Sequence, residues 1–293
     1  MEALSARTKP INSAAGSVEA EAEGGSKKHD CIFVTSTMCS SSEPELDVRA
    51  RLNLQAAREA QAIGVRMLAV DASKTDALKV GLEAAGALVH KQTFAGRKGA
   101  ALREGITLAL DLLTEDGVIV VGEAEKVGFV RFVPLLAAAC RAVDPDTNQR
   151  PAVVMPRRSQ EQFAATYPRE QVASETFANH HLDNLARSHC PELFAKVAGG
   201  KGELDWTCGP FAMHRAHAGL WLNCQGDLWD AQLVPVIHAI RRGHCVCELT
   251  VPYEHPPEMK AEEEGSVQWG QKRLFQLQFL FDSLEKGWTE SLS

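Results

Sequence analysis

Short β-branched runs alternating with helix-spaced segments from His29 onward predict an α/β fold, a mostly parallel central sheet flanked by helices. Two further observations agree with that class. Asp71 and Glu123 close two of the apolar runs, at the strand ends where an open parallel sheet presents its ligands. The longest apolar stretches, such as that from Val118 to Gly122, have the length of a strand and fall well short of the roughly 20 residues a bilayer span needs.

Taken in order, CIFVTST (Cys31 to Thr37) reads as the first strand, and the segment from Val48 to Gly64 has helical spacing ended by a glycine. VRMLAVDAS (Val65 to Ser73) is a second strand that runs into Asp71, followed by a helix ending at Gly86. ALVHKQT is a third strand, Gly96 to Leu113 a helix, and GVIVVGEAE (Gly117 to Glu125) a fourth strand. PAVVMPRR (Pro151 to Arg158) opens a less regular stretch, richer in His, Pro and aromatic residues, that reaches ELTVPYEHPP (Glu248 to Pro257). An amphipathic helix from Gln271 to Gly287 is expected to pack back on the body.

The 293 residues are 45% hydrophobic and 24% charged, the composition of a globular chain. A formal charge of -7 gives no global reason to bind nucleic acid, so any phosphate site must be local. Residues 1–29, rich in Ala, Gly, Ser and Glu without an apolar signal core, read as a disordered tail, and residues 30–293 as a single domain. Eight cysteines without a CxxC pair argue for a reduced, cytoplasmic setting and against a zinc site. A homo-oligomer is compatible with the composition.

Several local patterns carry chemistry. Asp71, closing a buried strand, suits either a hydrogen bond to a base or ribose or the capping of the next helix. The segment FAGRKGAALREG places Lys98 and Arg103 where a loop enters a helix, as a diphosphate cradle or a solvated basic helix start. It is neither a GxGxxG fingerprint nor a P-loop. Glu123 and Glu125, one residue apart after an apolar strand, offer oxygen ligands to a hard cation, Mn²⁺ or Mg²⁺. His255 in the stiff YEHPPE loop could join them. Asp230, at a helix start, is a general base toward an acceptor hydroxyl or a helix cap. Trp206, followed by the Gly209–Pro210 turn, is a sugar-stacking ring at the acceptor or a core residue.

In their succession these elements resemble the family-2-type glycosyltransferases, and among them the mannosylglycerate and glucosyl-3-phosphoglycerate synthase branch, over roughly residues 30 to 255. The resemblance implies a GT-A type nucleotide-diphospho-sugar transferase fold and a hexosyltransferase activity. It places Thr35 and Asp71 at the nucleotide, Lys98 and Arg103 near the diphosphate, Glu123 and Glu125 at the family's Asp-x-Asp metal motif, and His255 at its late metal-binding histidine. Asp230 matches the position near the acceptor, and Arg157 and Arg158 lie where this fold presents acceptor loops, suited to a carboxylate or phosphate or else surface charge. Each acid carries one methylene more than the family's aspartates, and Lys126 follows as a competitor for the metal. The partners so implied are a UDP- or GDP-linked sugar and a hydroxyl acceptor. The competing readings are a nucleotidyltransferase of the same fold and a catalytically silent nucleotide-binding scaffold.

Overall fold

The computed structural model describes residues 28–94, 96–143 and 148–290. The tail expected over residues 1–29 lies outside them, save its last two residues. β1 (His29–Thr37), α1 (Val48–Ala62), β2 (Arg66–Asp71), α2 (Ala77–Ala84), β3 (Leu88–Lys91), α3 (Lys98–Leu112) and β4 (Leu113–Val121) follow the expected alternation. Then come α4 (Val133–Arg141), β5 (Val153–Arg158), α5 (Gln160–Thr166), α6 (Arg169–His189) and β6 (Phe211–His214). The chain ends with α7 (Asp230–Arg241), β7 (Val246–Val251), α8 (Pro257–Glu263) and α9 (Val267–Thr289).

The seven strands form one sheet in the order β3-β2-β1-β4-β6-β5-β7. β6 runs antiparallel to both its neighbours, and every other pairing is parallel. The sheet is covered on both faces, which is why its central strands are apolar throughout rather than alternating with polar residues. Ile32 and Val34 of β1 and Ile119 and Val121 of β4 face one core, with Ile106 of α3, Ile237 of α7 and Leu284 of α9. Phe33, Val118 and Val120 face the other, with Leu54 of α1, Leu82 of α2 and Leu136 of α4.

β1 pairs with β2 on one side and β4 on the other, so the chain reverses its direction of winding between β1 and β4. At such a switch point the loops after the two strands part and leave a crevice at their carboxyl ends. The start of helix α3 is drawn close to the loop before α7 by a glycine. Gly99 N–H donates to the Asp227 carbonyl at 2.9 Å, and a Cβ on Gly99 would stand 2.0 Å from the Gly226 carbonyl oxygen. Among the described residues no helix is long and apolar enough to cross a membrane.

Candidate active site

The acidic turn after β4 lies at this crevice. Gly122 N–H donates to the Val34 carbonyl at 3.0 Å, extending the β1–β4 ladder by one bond. Ala124 N–H then donates to Thr35 Oγ1 at 3.1 Å. Thr35 is 2% exposed, so its hydroxyl fixes the turn that carries Glu123 and Glu125. The Lys126 N–H closes the turn on the Glu123 carbonyl at 3.0 Å.

Both Glu123 oxygens meet ammonium groups. Lys98 Nζ, from the first turn of α3, lies 3.0 Å from Oε1, and Lys126 Nζ lies 2.9 Å from Oε2. Lys126 also donates to the Cys208 carbonyl. Burial opposes charge on Glu123, but the Lys126 and Lys98 ammoniums outweigh it and hold the carboxyl below the usual carboxylate range. Lys126 is shifted the opposite way: burial would lower its pKa, and the Glu123 carboxylate raises it. Glu125 faces elsewhere, 3.4 Å from Arg49 Nη1. Burial and the neighbouring Glu123 charge raise its pKa.

Arg49, in the first turn of α1, links the acidic turn to the C-terminal helices. Its Nη2 lies 2.8 Å from Glu263 Oε1, and its guanidinium sits 4.6 Å from the centre of the Trp269 ring. Arg273 of α9 donates to Glu263 at 3.0 Å and to Glu175 at 3.3 Å. Helices α8 and α9 therefore roof a cleft into which Glu123, Glu125, Lys126, Trp229, Lys272 and Arg273 project.

His255 borders the same cleft but lies within the wall. It is 5% exposed, its ring centre is 4.4 Å from that of Tyr167, and Nε2 is 3.8 Å from Glu263 Oε2. Burial, reinforced by Lys126, Arg273, Arg49 and Arg158, pushes its pKa down to about 3. An unfolded histidine takes up its proton near the ordinary value of 6.5, so the unfolded chain binds more protons through the interval between the two values. This residue's contribution is present above pH 6.5 and is lost as the pH falls toward 3. Urea unfolding at several pH values should show stability declining through this window, with a shallower decline for His255→Phe. Equal slopes would show that His255 does not set the acid limb.

The remaining expected residues fall into three groups. Asp71, fully buried, accepts from Thr37 Oγ1 at 3.0 Å and from Ser73 Oγ at 2.6 Å, with Lys91 Nζ 3.5 Å from its other oxygen. It organises the end of β2, one strand away from β4. Arg103 donates to the carbonyls of Cys224 and Gly226 at 2.8 and 2.7 Å, so it holds the loop before α7. Asp230 Oδ1 accepts from Leu228 N–H at 2.8 Å in that same loop.

The residues expected at the acceptor are spread apart. Arg158 is 4% exposed and bonds Asp205 through Nε and Nη2 at 2.9 and 2.7 Å, with Glu175 at Nη1. It is a buried structural cation, set below the surface among its carboxylate partners. Arg157 pairs with Glu248 and lies 3.5 Å from Glu203. Trp206 is 1% exposed, stacks with Phe194 and donates its indole N–H to Asp183 at 2.9 Å, so its ring belongs to the core. Gly209 does reach the site. Its φ is +95°, and an added Cβ would lie 3.2 Å from Lys126 Nζ and 3.4 Å from Glu123 Oε2.

The expected metal donors do not gather. Among the described residues no group of three His, Cys, Asp or Glu side chains is placed to hold an ion. Glu123 is engaged by two lysines, Glu125 by Arg49, and His255 faces Glu263. A hard cation needs several oxygen ligands at roughly 2.0–2.6 Å. The residues present, as arranged, do not fit one.

No protein-family model matches the chain, and no curated protein matches it in sequence. Solved structures do resemble it. Glucosyl-3-phosphoglycerate synthase from Mycobacterium tuberculosis, in complex with Mn²⁺, UDP and phosphoglyceric acid, aligns at a TM-score of 0.50 and 13% identity, over 90% of this chain and 80% of that one. A second structure of that synthase aligns at 0.50 and 15%, over 90% and 82%. A mycobacterial protein aligns at 0.53 and 16%, over 90% and 76%. At these identities the likeness is one of fold, the GT-A type found in these synthases.

Proposed function

We propose that this chain is a glycosyltransferase that moves a hexosyl group from a UDP- or GDP-linked sugar to a hydroxyl acceptor. The observation that carries the reading is the Glu123–Lys126 turn, pinned at the β1–β4 switch point and open to a cleft where Lys126, Arg49, Lys272 and Arg273 bring four cations together in a chain of net charge -7. One feature supports a bound diphosphate. Lys98 stands in the first turn of α3, a turn with no acidic residue of its own, and its ammonium, 3.0 Å from Glu123 Oε1, can reach an anion held between the helix start and the acidic turn. The nucleoside is placed toward the end of β2, which the buried Asp71 organises.

In the transfer, the bond from the anomeric carbon to the β-phosphate oxygen breaks, and its electron pair leaves with the nucleoside diphosphate. Preorganised cations that meet this charge lower the barrier because they need not reorganise as it develops. The acceptor oxygen forms the new bond to the anomeric carbon and gives up its proton. We assign that proton to Asp230, whose Oδ1 accepts from Leu228 N–H at the start of α7. Trp229 and Gln232, from the same helix start, line the cleft. We take residues 30–293 to be one catalytic domain, a reading supported by the single sheet.

The test is release of UDP or GDP from a panel of sugar nucleotides, with and without small acidic hydroxyl acceptors. Acceptor-stimulated release that falls at least about tenfold in Asp230→Asn supports the reading, since a general base contributes roughly 10²–10⁴-fold. Nucleotide binding without release under any condition would instead favour the silent scaffold, a reading to which the internally neutralised Glu123 lends weight.

A further inference from the structure

A divalent cation at Glu123 and Glu125 is what the sequence leads one to expect, and the ion pairs at Glu123 disagree with it. We propose that Lys126, together with Lys98, occupies the cation position of this site, so that the chain binds the diphosphate of its donor without a divalent metal. This rests on the glycosyltransferase reading above and specifies how its donor is held.

Three observations carry the proposal. The two ammonium groups lie on opposite oxygens of one carboxylate at 2.9 and 3.0 Å, and together supply the two positive charges a divalent ion would bring. The position of Lys126 is built. Its Nζ is fixed by the Cys208 carbonyl as well as by Glu123, and Gly209, at φ +95° in the same loop, leaves open the space where a Cβ would stand 3.2 Å from Nζ. Finally, an entering cation would face unfavourable surroundings. Arg49 holds Glu125, and the nearest histidine, His255, lies beside Glu263 and Tyr167 with Arg273, Arg49, Lys126 and Arg158 raising the local positive charge. A divalent ion at Glu123 would have to sit against ammonium groups already 3.0 and 2.9 Å from its two oxygens, and like charge opposes that.

The chemistry is consistent. A lysine ammonium binds phosphate as a compact point charge, and the three protons on Lys126 allow it to keep Glu123 and Cys208 while donating to a phosphate oxygen. Glu123 then acts as a positioning residue for the two lysines rather than as a metal ligand.

Calorimetric titration of UDP and GDP, in chelator and in Mn²⁺, into the wild type, Lys126→Met and Lys126→Arg tests this, with Mn²⁺ immobilisation followed in parallel by electron paramagnetic resonance. For the nucleotide that binds, the wild type should give the same affinity within about twofold in chelator and in Mn²⁺ and should immobilise no Mn²⁺. Lys126→Met should bind at least about tenfold more weakly in chelator, the scale of a lost charged hydrogen bond. Lys126→Arg should retain part of that affinity, which a purely structural loss in the methionine variant would not predict. Wild-type binding that is at least tenfold tighter with Mn²⁺, or stoichiometric immobilisation of the ion, overturns the lysine assignment and leaves the transferase reading standing. Absence of binding of either nucleotide by folded protein in both conditions overturns that reading and, with it, the inference.

Discussion

Arg158→Ala should lower the stability of the fold by about 3–5 kcal/mol, the range observed when one partner of a buried ion pair is removed. The side chain bonds Asp205 twice and Glu175 once, and its guanidinium lies 4.0 Å from the centre of the Phe163 ring. Burial disfavours charge on Asp205, and it is the guanidinium that brings its pKa below the ordinary carboxylate value. Without Arg158 the buried Asp205 carboxyl loses its countercharge, and Glu175 keeps Arg273 as its countercharge. Urea unfolding measures the loss, and a second variant, Arg158→Met with Asp205→Leu, should recover much of it because it removes charge and countercharge together. A loss below about 1 kcal/mol for Arg158→Ala would return the residue to the surface role expected from sequence.

Trp206→Ala is the second large effect, about 3–5 kcal/mol, the usual cost of removing a buried aromatic side chain. A ring that stacked on a sugar from the cleft would cost little stability when removed and much affinity. Trp206 is held the other way, stacked with Phe194 and donating to Asp183, whose second bond, from Leu204 N–H at 3.0 Å, ties the loop before β6 to α6. Trp206→Phe should separate the contributions: it keeps most of the packing and leaves Asp183 without its indole partner. Thermal unfolding of both variants checks this, and a Trp206→Ala protein as stable as the wild type would contradict the core assignment.

The strand and helix alternation was legible from β1 through β4 because apolar runs and glycine stops mark those elements in the local sequence. Helix α6 was not. Its inward face carries Gln171, Glu175 and Asp183 where an amphipathic helix would carry apolar residues, and their partners are Arg273, Arg158 and Trp206 from elsewhere in the chain. The apolar period that would announce the helix is therefore weak. Strand β6 was hidden for a different reason. It has four residues, follows a Gly–Pro turn and enters the sheet antiparallel, so nothing in its own length or pattern distinguishes it from a loop.

The site divides in the same way. Glu123, Glu125 and Lys98 were visible because strand-end acids and a basic helix start have local signatures. Lys126 was visible as a competitor for a metal, but only its contacts with Glu123 and the Cys208 carbonyl reveal the place it takes. Arg49, Glu263 and Arg273 carry no local signal at all. They meet across more than two hundred residues of sequence, from the first turn of α1 to α9, and their role follows from the way the C-terminal helices close over the cleft. Arg158 and Trp206 drew attention as an arginine and a large aromatic ring, residue types that serve ligands and cores alike. Burial decided between the two.

A crystal structure of the chain grown with UDP or GDP tests the central claim most directly. The account predicts the diphosphate at the carboxyl ends of β1 and β4, between the first turn of α3 and the Glu123–Lys126 turn, with Lys98 or Lys126 in contact with its oxygens and the nucleoside toward Asp71. A nucleotide bound elsewhere on the molecule, or this crevice empty at saturating nucleotide, would contradict it.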